Sequence, residues 1–164
     1  MTVPAQVLIG IGNPYRRDDG VGPALIEAFG ADGLPGVRLV TADGEPAALI
    51  DAWQGTGLAV VVDAVLCELP RPGQVHRTVW DSAAQADGLL AAAAAAGPGR
   101  PAASTHGPGV PDALRLAEVL GRCPGRLVIL AVEAADLGFG PGLSPDVAAS
   151  LPRLTRAVRA EFGL

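Results

Sequence analysis

A glycine-rich, acidic segment between two apolar stretches constrains the fold of this chain more than any other feature. Apolar residues at 7–9 predict a buried strand, and residues 23–29 predict a helix. The segment between them, residues 10–22, has the sequence GIGNPYRRDDGVG. Adjacent aspartates repel each other and are poor formers of strand or helix interiors. Because α/β proteins bind ligands where a strand gives way to a helix, we expect a functional site here.

A phosphate-binding loop is the obvious alternative for a glycine-rich first junction. The dinucleotide fingerprint GxGxxG needs a third glycine where this chain has Tyr15. Pro14 removes one backbone donor, and the carboxylates of Asp18 and Asp19 would repel phosphate. The sequence GxxxxGK[ST] does not occur. The junction therefore predicts a site of another kind.

Composition predicts a single folded domain spanning residues 1–164. The chain is 49% hydrophobic and 18% charged, which favours a globular core over disorder. A net charge of -5 with no basic face argues against nucleic-acid binding. We find no signal peptide and no apolar stretch long enough to span a membrane, and we expect a cytoplasmic monomer. Cys67 and Cys123 lack CxxC spacing, so we expect reduced thiols acting as small buried hydrophobic groups.

Strand and helix patterns alternate along the chain. The predicted strands are residues 7–12, 37–41, 58–62, 74–80 (an edge or antiparallel strand) and 127–132. The predicted helices are residues 20–29, 45–53, 112–120 and 144–162, the last capped by Ser144, begun by Pro145 and kinked or broken at Pro152. Residues 91–96 could extend a helix, and residues 97–104 are predicted to be loop. This alternation predicts an α/β three-layer sandwich with a twisted, mainly parallel sheet of about five strands.

Three residues capable of binding a metal fall at the predicted carboxyl ends of the strands. Asp19 follows the first strand, Asp63 ends the apolar run 58–62, and His106 precedes a helix. Two carboxylates and one imidazole with open positions suit a divalent transition metal such as nickel or zinc. Their convergence follows from the predicted fold, not from their spacing.

Each of these residues also has a purely structural interpretation. Asp18 or Asp19 could cap the helix that begins near residue 20, Asp63 could be a turn residue, and His106 could be an ordinary surface residue. Three other polar residues are expected to have structural roles. His76 should face solvent, Glu133 should pair with Arg16 or Arg17, and Asn13 should hold its loop through backbone hydrogen bonds.

Five segments together resemble the hydrogenase maturation peptidases. They are GIGNPYRRDDGVG at 10–22, VVVDAV at 60–65, STHG at 104–107, Val132-Glu133, and GFGPGLS at 138–144, in that order. The resemblance covers about residues 7 to 150. It implies an α/β fold and an endopeptidase that removes a C-terminal extension from the large-subunit precursor of a nickel–iron hydrogenase after nickel insertion.

The resemblance also implies which residues act. Asp19, Asp63 and His106 match the family's metal-binding positions and would be both metal ligands and catalytic residues. The nickel would be carried by the precursor, and another divalent metal could replace it in vitro. Asp18 and Asn13 would orient Asp19 and its loop.

Two other classes of function stay open at this point. A non-catalytic, metal-dependent binding or chaperone module for hydrogenase maturation would share the fold and the ligands. A small-ligand protein could use the aspartate pair to bind a sugar or an amine. The absence of HExxH and GxSxG sequences argues against a self-contained zinc protease and a serine hydrolase.

Overall fold

The sheet of this protein is mixed and mainly parallel. The computed structural model describes residues 5–84 and 109–164, together with the backbone of residues 101–104. The strands are β1 Ala5–Ile11, β2 Val37–Ala42, β3 Thr56–Cys67, β4 Val75–Asp81, β5 Pro101–Ser104 and β6 Arg126–Glu133. They pair in the order β2-β1-β3-β6-β4, and β5 pairs with β3. The first four strands in this order are parallel, whereas β4 and β5 are antiparallel to their neighbours.

Helices cover both faces of the sheet. They are α1 Val21–Ala28, α2 Pro46–Trp53, α3 Gly109–Leu120 and α4 Pro145–Glu161. One apolar core includes Trp53 and the side chains of α2 and α3, and the other includes Leu25 and the side chains of α1 and α4. Side chains alternate between these cores along β1, β2, β3, β4 and β6, as the twofold period of a strand requires. The predicted three-layer α/β sandwich is confirmed.

Two glycines let α1 approach β1 at backbone distance. A Cβ atom on Gly10 would lie 2.4 Å from the carbonyl oxygen of Gly22, and one on Gly22 would lie 2.4 Å from that of Ile11. Gly12 has φ +143°, and its Cβ would lie 1.7 Å from the carbonyl oxygen of Asp19. The glycines of the junction therefore bring strand, turn and helix into direct contact.

The structure corrects several predicted elements. Strand β3 continues past Val62 to Cys67, so Asp63 lies within a strand and is not a turn residue. Residues 101–104 form β5, although they were predicted to be loop. The register of β5 against residues 65–67 of β3 depends on partners distant in sequence, which a local pattern does not reveal. The possible helix at 91–96 lies outside the described residues.

Helix α4 also differs from its prediction. It runs from Pro145 to Glu161 without a break at Pro152. Pro145 is its first residue, as predicted, and Ser144 occupies the N-cap position. The Ser144 side chain does not cap the helix, however, because its hydroxyl donates to Asp18.

Within the part of the chain that the structure describes, every helix is too short or too polar to cross a lipid bilayer. The extent of a single domain over residues 1–164 stays a prediction.

Candidate active site

The loop after β1 holds Asp19 in the interior through a backbone hydrogen bond. The N–H of Asn13 donates to Asp19 Oδ2 at 2.9 Å, and the Asn13 side chain accepts from the N–H of Tyr15 at 2.9 Å. Asn13 thus organises the loop through backbone hydrogen bonds, as predicted. Asp19 is fully buried, and Arg16 Nη1 lies 4.0 Å from its Oδ2 atom. The capping interpretation of Asp18 and Asp19 is wrong, because the N-cap residue of α1 is Gly20 and no side chain caps the helix there.

The Asp18 carboxylate joins two loops through hydrogen bonds. Its carboxylate accepts from the N–H groups of Ala135, Asp136 and Ser144 at 2.8, 2.9 and 2.7 Å. The Ser144 hydroxyl adds a fourth bond of 2.8 Å. Asp18 is fully buried, so these bonds replace the water that a carboxylate otherwise requires. Asp18 therefore anchors the turn Arg17–Gly20 to the loop that follows β6.

The same two loops are joined a second time through Arg17. Its N–H donates to the carbonyl of Gly140 at 3.0 Å, and its guanidinium donates to the carbonyl of Pro141 at 3.0 Å. The N–H of Gly140 in turn donates to the carbonyl of Tyr15 at 2.8 Å. Arg17 has φ +52°, an uncommon conformation for a residue other than glycine. The segment 138–144 and the segment 10–22 therefore form one structural unit.

Asp63 lies near the carboxyl end of β3 and is 3% exposed. It is two residues beyond Val61, which belongs to the core under α2 and α3, so Asp63 lies on that face of the sheet. The turn that contains Asp19 packs against β3. The structure thus places both predicted carboxylates, buried, on neighbouring elements at the same edge of the sheet.

His106 lies outside the described residues. The strand that precedes it is described: Ser104 of β5 is in register with Val65 of β3, two residues beyond Asp63. The role of Asp19, Asp63 and His106 as a shared metal site stays a prediction.

An open cleft lies beside the junction. It has a volume of about 500 Å³ and its walls include Gly12, Pro14, Pro23, Thr41, Ala42 and Asp43. Pro23 lies in the first turn of α1, and the other named residues end or follow β1 and β2, so the cleft opens at the carboxyl edge of the parallel strands. Ligands of open parallel sheets bind at this edge.

Glu133 has partners different from those predicted. Its Oε2 atom lies 2.8 Å from His76 Nε2, and its Oε1 atom accepts from the N–H of Arg71 at 2.9 Å. The prediction of a pair with Arg16 or Arg17 is therefore wrong, as is the prediction that His76 simply faces solvent. The antiparallel register of β4 on β6 brings His76 to the end of β6, and that pairing was not visible in the sequence.

The thiol of Cys67 also contacts Glu133 and is only partly buried. Burial and the hydrogen bond to Glu133 raise the pKa of Cys67 to about 11. Burial by itself raises the pKa of Glu133, but its bonds to the Arg71 N–H, His76 and Cys67 outweigh burial and lower it. Both cysteines are free thiols, as predicted, although neither is fully buried.

Comparison with known proteins identifies the family. The family model of the hydrogenase maturation proteases (HycI) matches residues 24–161, most of the chain. The chain belongs to the hydrogenase maturation protease family. The matched region includes Asp63, Glu133 and the segment 138–144, and it begins just after the acidic turn.

Individual relatives agree with this membership. The hydrogenase expression/formation protein HupD of Thiocapsa roseopersicina is 28% identical over 98% of this chain and 70% of its own length. The hydrogenase maturation protease HybD of Thermococcus kodakarensis has a TM-score of 0.72 at 21% identity, covering 94% of this chain and 97% of that one. The hydrogenase maturating endopeptidase HybD of E. coli has a TM-score of 0.72 at 21% identity, covering 95% of this chain and 91% of that one. At such identities the solved structures establish the shared fold.

Proposed function

We propose that this hydrogenase maturation protease cleaves the C-terminal extension from the large-subunit precursor of a nickel–iron hydrogenase after nickel insertion. The proposal rests on membership of the family together with one structural observation. The turn Arg17–Gly20, in which Asp19 is fully buried, packs against β3, the strand that carries Asp63. His106 follows Ser104 by two residues in the sequence, and Ser104 is in register with Val65, two residues beyond Asp63 on β3.

We assign Asp19, Asp63 and His106 to the coordination of nickel that is already seated in the precursor. Buried carboxylates are costly unless they are paired, hydrogen-bonded or coordinated to a metal. Two carboxylates and an imidazole form a donor set that divalent transition metals accept. A metal held in this way can polarise a peptide carbonyl or lower the pKa of a bound water. The residues would thereby link cleavage to the presence of nickel.

The surroundings of the turn suit a protein substrate. Tyr15 is 70% exposed and Phe139 is 93% exposed, and both lie on the two loops that Arg17 and Gly140 join. Large exposed aromatic residues are typical of surfaces that bind other proteins. The open cleft beside Gly12 is a seat for an extended segment of the precursor. We propose that the protease acts as a monomer in the cytoplasm.

The deciding experiment mixes the protease with nickel-loaded and nickel-free precursor and follows the loss of the C-terminal extension by mass spectrometry. We expect cleavage of the loaded form alone. Cleavage of both forms would contradict recognition of nickel. Cleavage of neither, with the loaded precursor still bound, would favour the metal-dependent binding module.

Replacement of Phe139 tests the aromatic surface. Phe139→Ala is expected to raise the KM for the precursor about 10-fold, because a large exposed side chain is lost from the contact, with kcat nearly unchanged. The measurement is steady-state cleavage at varied precursor concentration. Val119→Ala is the matched control: Val119 is 85% exposed near the end of α3, which leads to the opposite edge of the sheet. Equal KM values for the two variants would mean that Phe139 does not contribute to precursor binding.

A further inference from the structure

We infer that Cys67, His76 and Glu133 form a second metal site, for a zinc-like divalent ion, distinct from the Asp19, Asp63 and His106 site. One potential ligand atom from each residue lies within 4.8 Å of the other two. It is the one Cys, His, Asp or Glu cluster of this kind in the described ranges 5–84 and 109–164. The inference does not depend on the proposed cleavage reaction.

The sheet itself brings these three side chains together. Cys67 ends β3, Glu133 ends β6 and His76 lies near the start of β4. Val65 is in register with Glu133, and His76 is in register with Ala131, so the three residues cluster at one corner of the sheet. Paired strands are rigid supports, and a metal site requires ligands held in such a manner.

The donor set is selective for a particular class of metal. A thiolate sulfur, an imidazole nitrogen and a carboxylate oxygen suit zinc and its neighbours, whereas Mg²⁺ and Ca²⁺ require oxygen ligands throughout. Three protein ligands leave a fourth tetrahedral position for water or another ligand.

Metal binding would replace the hydrogen bonds that now join the three groups. The Cys67 thiol would release its proton to solvent, and His76 Nε2 would give up the proton that it now donates to Glu133, so that a neutral imidazole protonated on Nδ1 could bind the metal through Nε2. Glu133 Oε2 would bind the metal in place of its hydrogen bond with His76, while Oε1 would still accept the hydrogen bond from the N–H of Arg71. The Arg71 bond would then orient the ligating carboxylate from outside the site.

The second site is separate from the first along the same strand. Asp63 and Cys67 are four residues apart on β3, which corresponds to about 13 Å at the spacing of a strand. One ion cannot bridge that distance. The two sites can therefore be tested independently with variants of the same chain.

Cobalt is the probe, because Co²⁺ enters zinc sites and is coloured. The metal-free chain is titrated with Co²⁺ and the spectrum is recorded. We expect one equivalent to produce a thiolate-to-cobalt charge-transfer band and the intense visible bands of a tetrahedral ion. Zinc should then bleach both, because it binds such sites more tightly than cobalt.

Single variants assign the ligands. Cys67→Ser should abolish the charge-transfer band, and His76→Gln should lower the cobalt affinity at least about 100-fold, since even outer-shell changes cost about 10–100-fold. Cys123→Ser and Asp63→Asn are the controls, and both should keep the band at full intensity. If Asp63→Asn fails to cleave the precursor but still binds cobalt, the second metal site stands independently of the proposed cleavage site.

Two outcomes would overturn the second site. One is the absence of a thiolate band at a several-fold excess of cobalt, which would leave the cluster as a hydrogen-bonded ion pair. The other is a band that survives Cys67→Ser and disappears in Cys123→Ser. Circular dichroism of each variant at equal concentration verifies that the chain is folded, so that loss of binding reflects loss of the ligand.

Discussion

Asp63→Asn is expected to lower the rate of cleavage of the nickel-loaded precursor by at least about 100-fold. The substitution preserves the shape of the side chain and removes its charge. Changes in groups that merely orient metal ligands cost about 10–100-fold in activity, so loss of a ligand charge should cost at least as much. The rate is measured by mass spectrometry under single-turnover conditions, in which product release does not contribute.

Asp51→Asn provides the matched control for this result. Asp51 is an exposed residue of α2 whose carboxylate accepts from the Gln54 side chain at 3.5 Å. The same chemical change there should leave cleavage unaltered. The Asp63 assignment fails if Asp63→Asn cleaves at the wild-type rate. Binding of the loaded precursor, measured separately, tells whether Asp63 acts in recognition or in the cleavage step.

Much of the fold was accessible from local patterns. The continuous apolar run at 58–62 predicted a strand buried on both faces, and β3 is such a strand, with Ala59 to Val62 fully buried. The alternating residues near 74–80 predicted an edge or antiparallel strand, and β4 is antiparallel at the edge of the sheet. Both patterns reflect which side chains are buried. Because helices cover the two faces of the sheet, the burial of each strand is visible in its local sequence.

Pairings between distant residues were less accessible. Nothing local to residues 101–104 indicated that they would extend the sheet beside Val65. The partners of Glu133 were equally hidden, because its contact with His76 depends on the register of β4 against β6. One signal could have helped: Glu133 directly follows the predicted strand 127–132, and His76 lies near the start of the predicted strand 74–80, and polar side chains cluster at strand ends in α/β proteins.

The two aspartates of the acidic pair illustrate the same limit at the site. Their position at the end of a strand predicted a functional role, but it could not divide that role between them. In the structure the Asp19 carboxylate accepts from the Asn13 N–H, whereas the Asp18 carboxylate accepts from N–H groups of the loop after β6. Neighbouring carboxylates thus have different surroundings, because the Arg17–Gly20 turn directs them to different elements.

Asp18→Ala is expected to lower the free energy of unfolding by about 4 kcal/mol. It removes the acceptor of three backbone N–H groups and one hydroxyl, and each unsatisfied buried group costs about 1–3 kcal/mol. Partial entry of water holds the total near the lower end of that range. Small domains are stable by only about 5–15 kcal/mol, so the loss is large. Guanidinium unfolding at equilibrium measures it.

Two further variants make this result specific to the Asp18 anchor. Ser144→Ala removes one of the four bonds and should cost about 1 kcal/mol, whereas the exposed Asp51→Ala should change stability by less than about 0.5 kcal/mol. In the double variant of Asp18 and Ser144, the two losses should add to less than their sum, because both remove the same hydrogen bond. A loss below about 1 kcal/mol for Asp18→Ala would mean that the remaining hydrogen bonds, those of Arg17 and Gly140 among them, are enough to hold the two loops together. Asp18 would then not be needed to position the turn that carries Asp19.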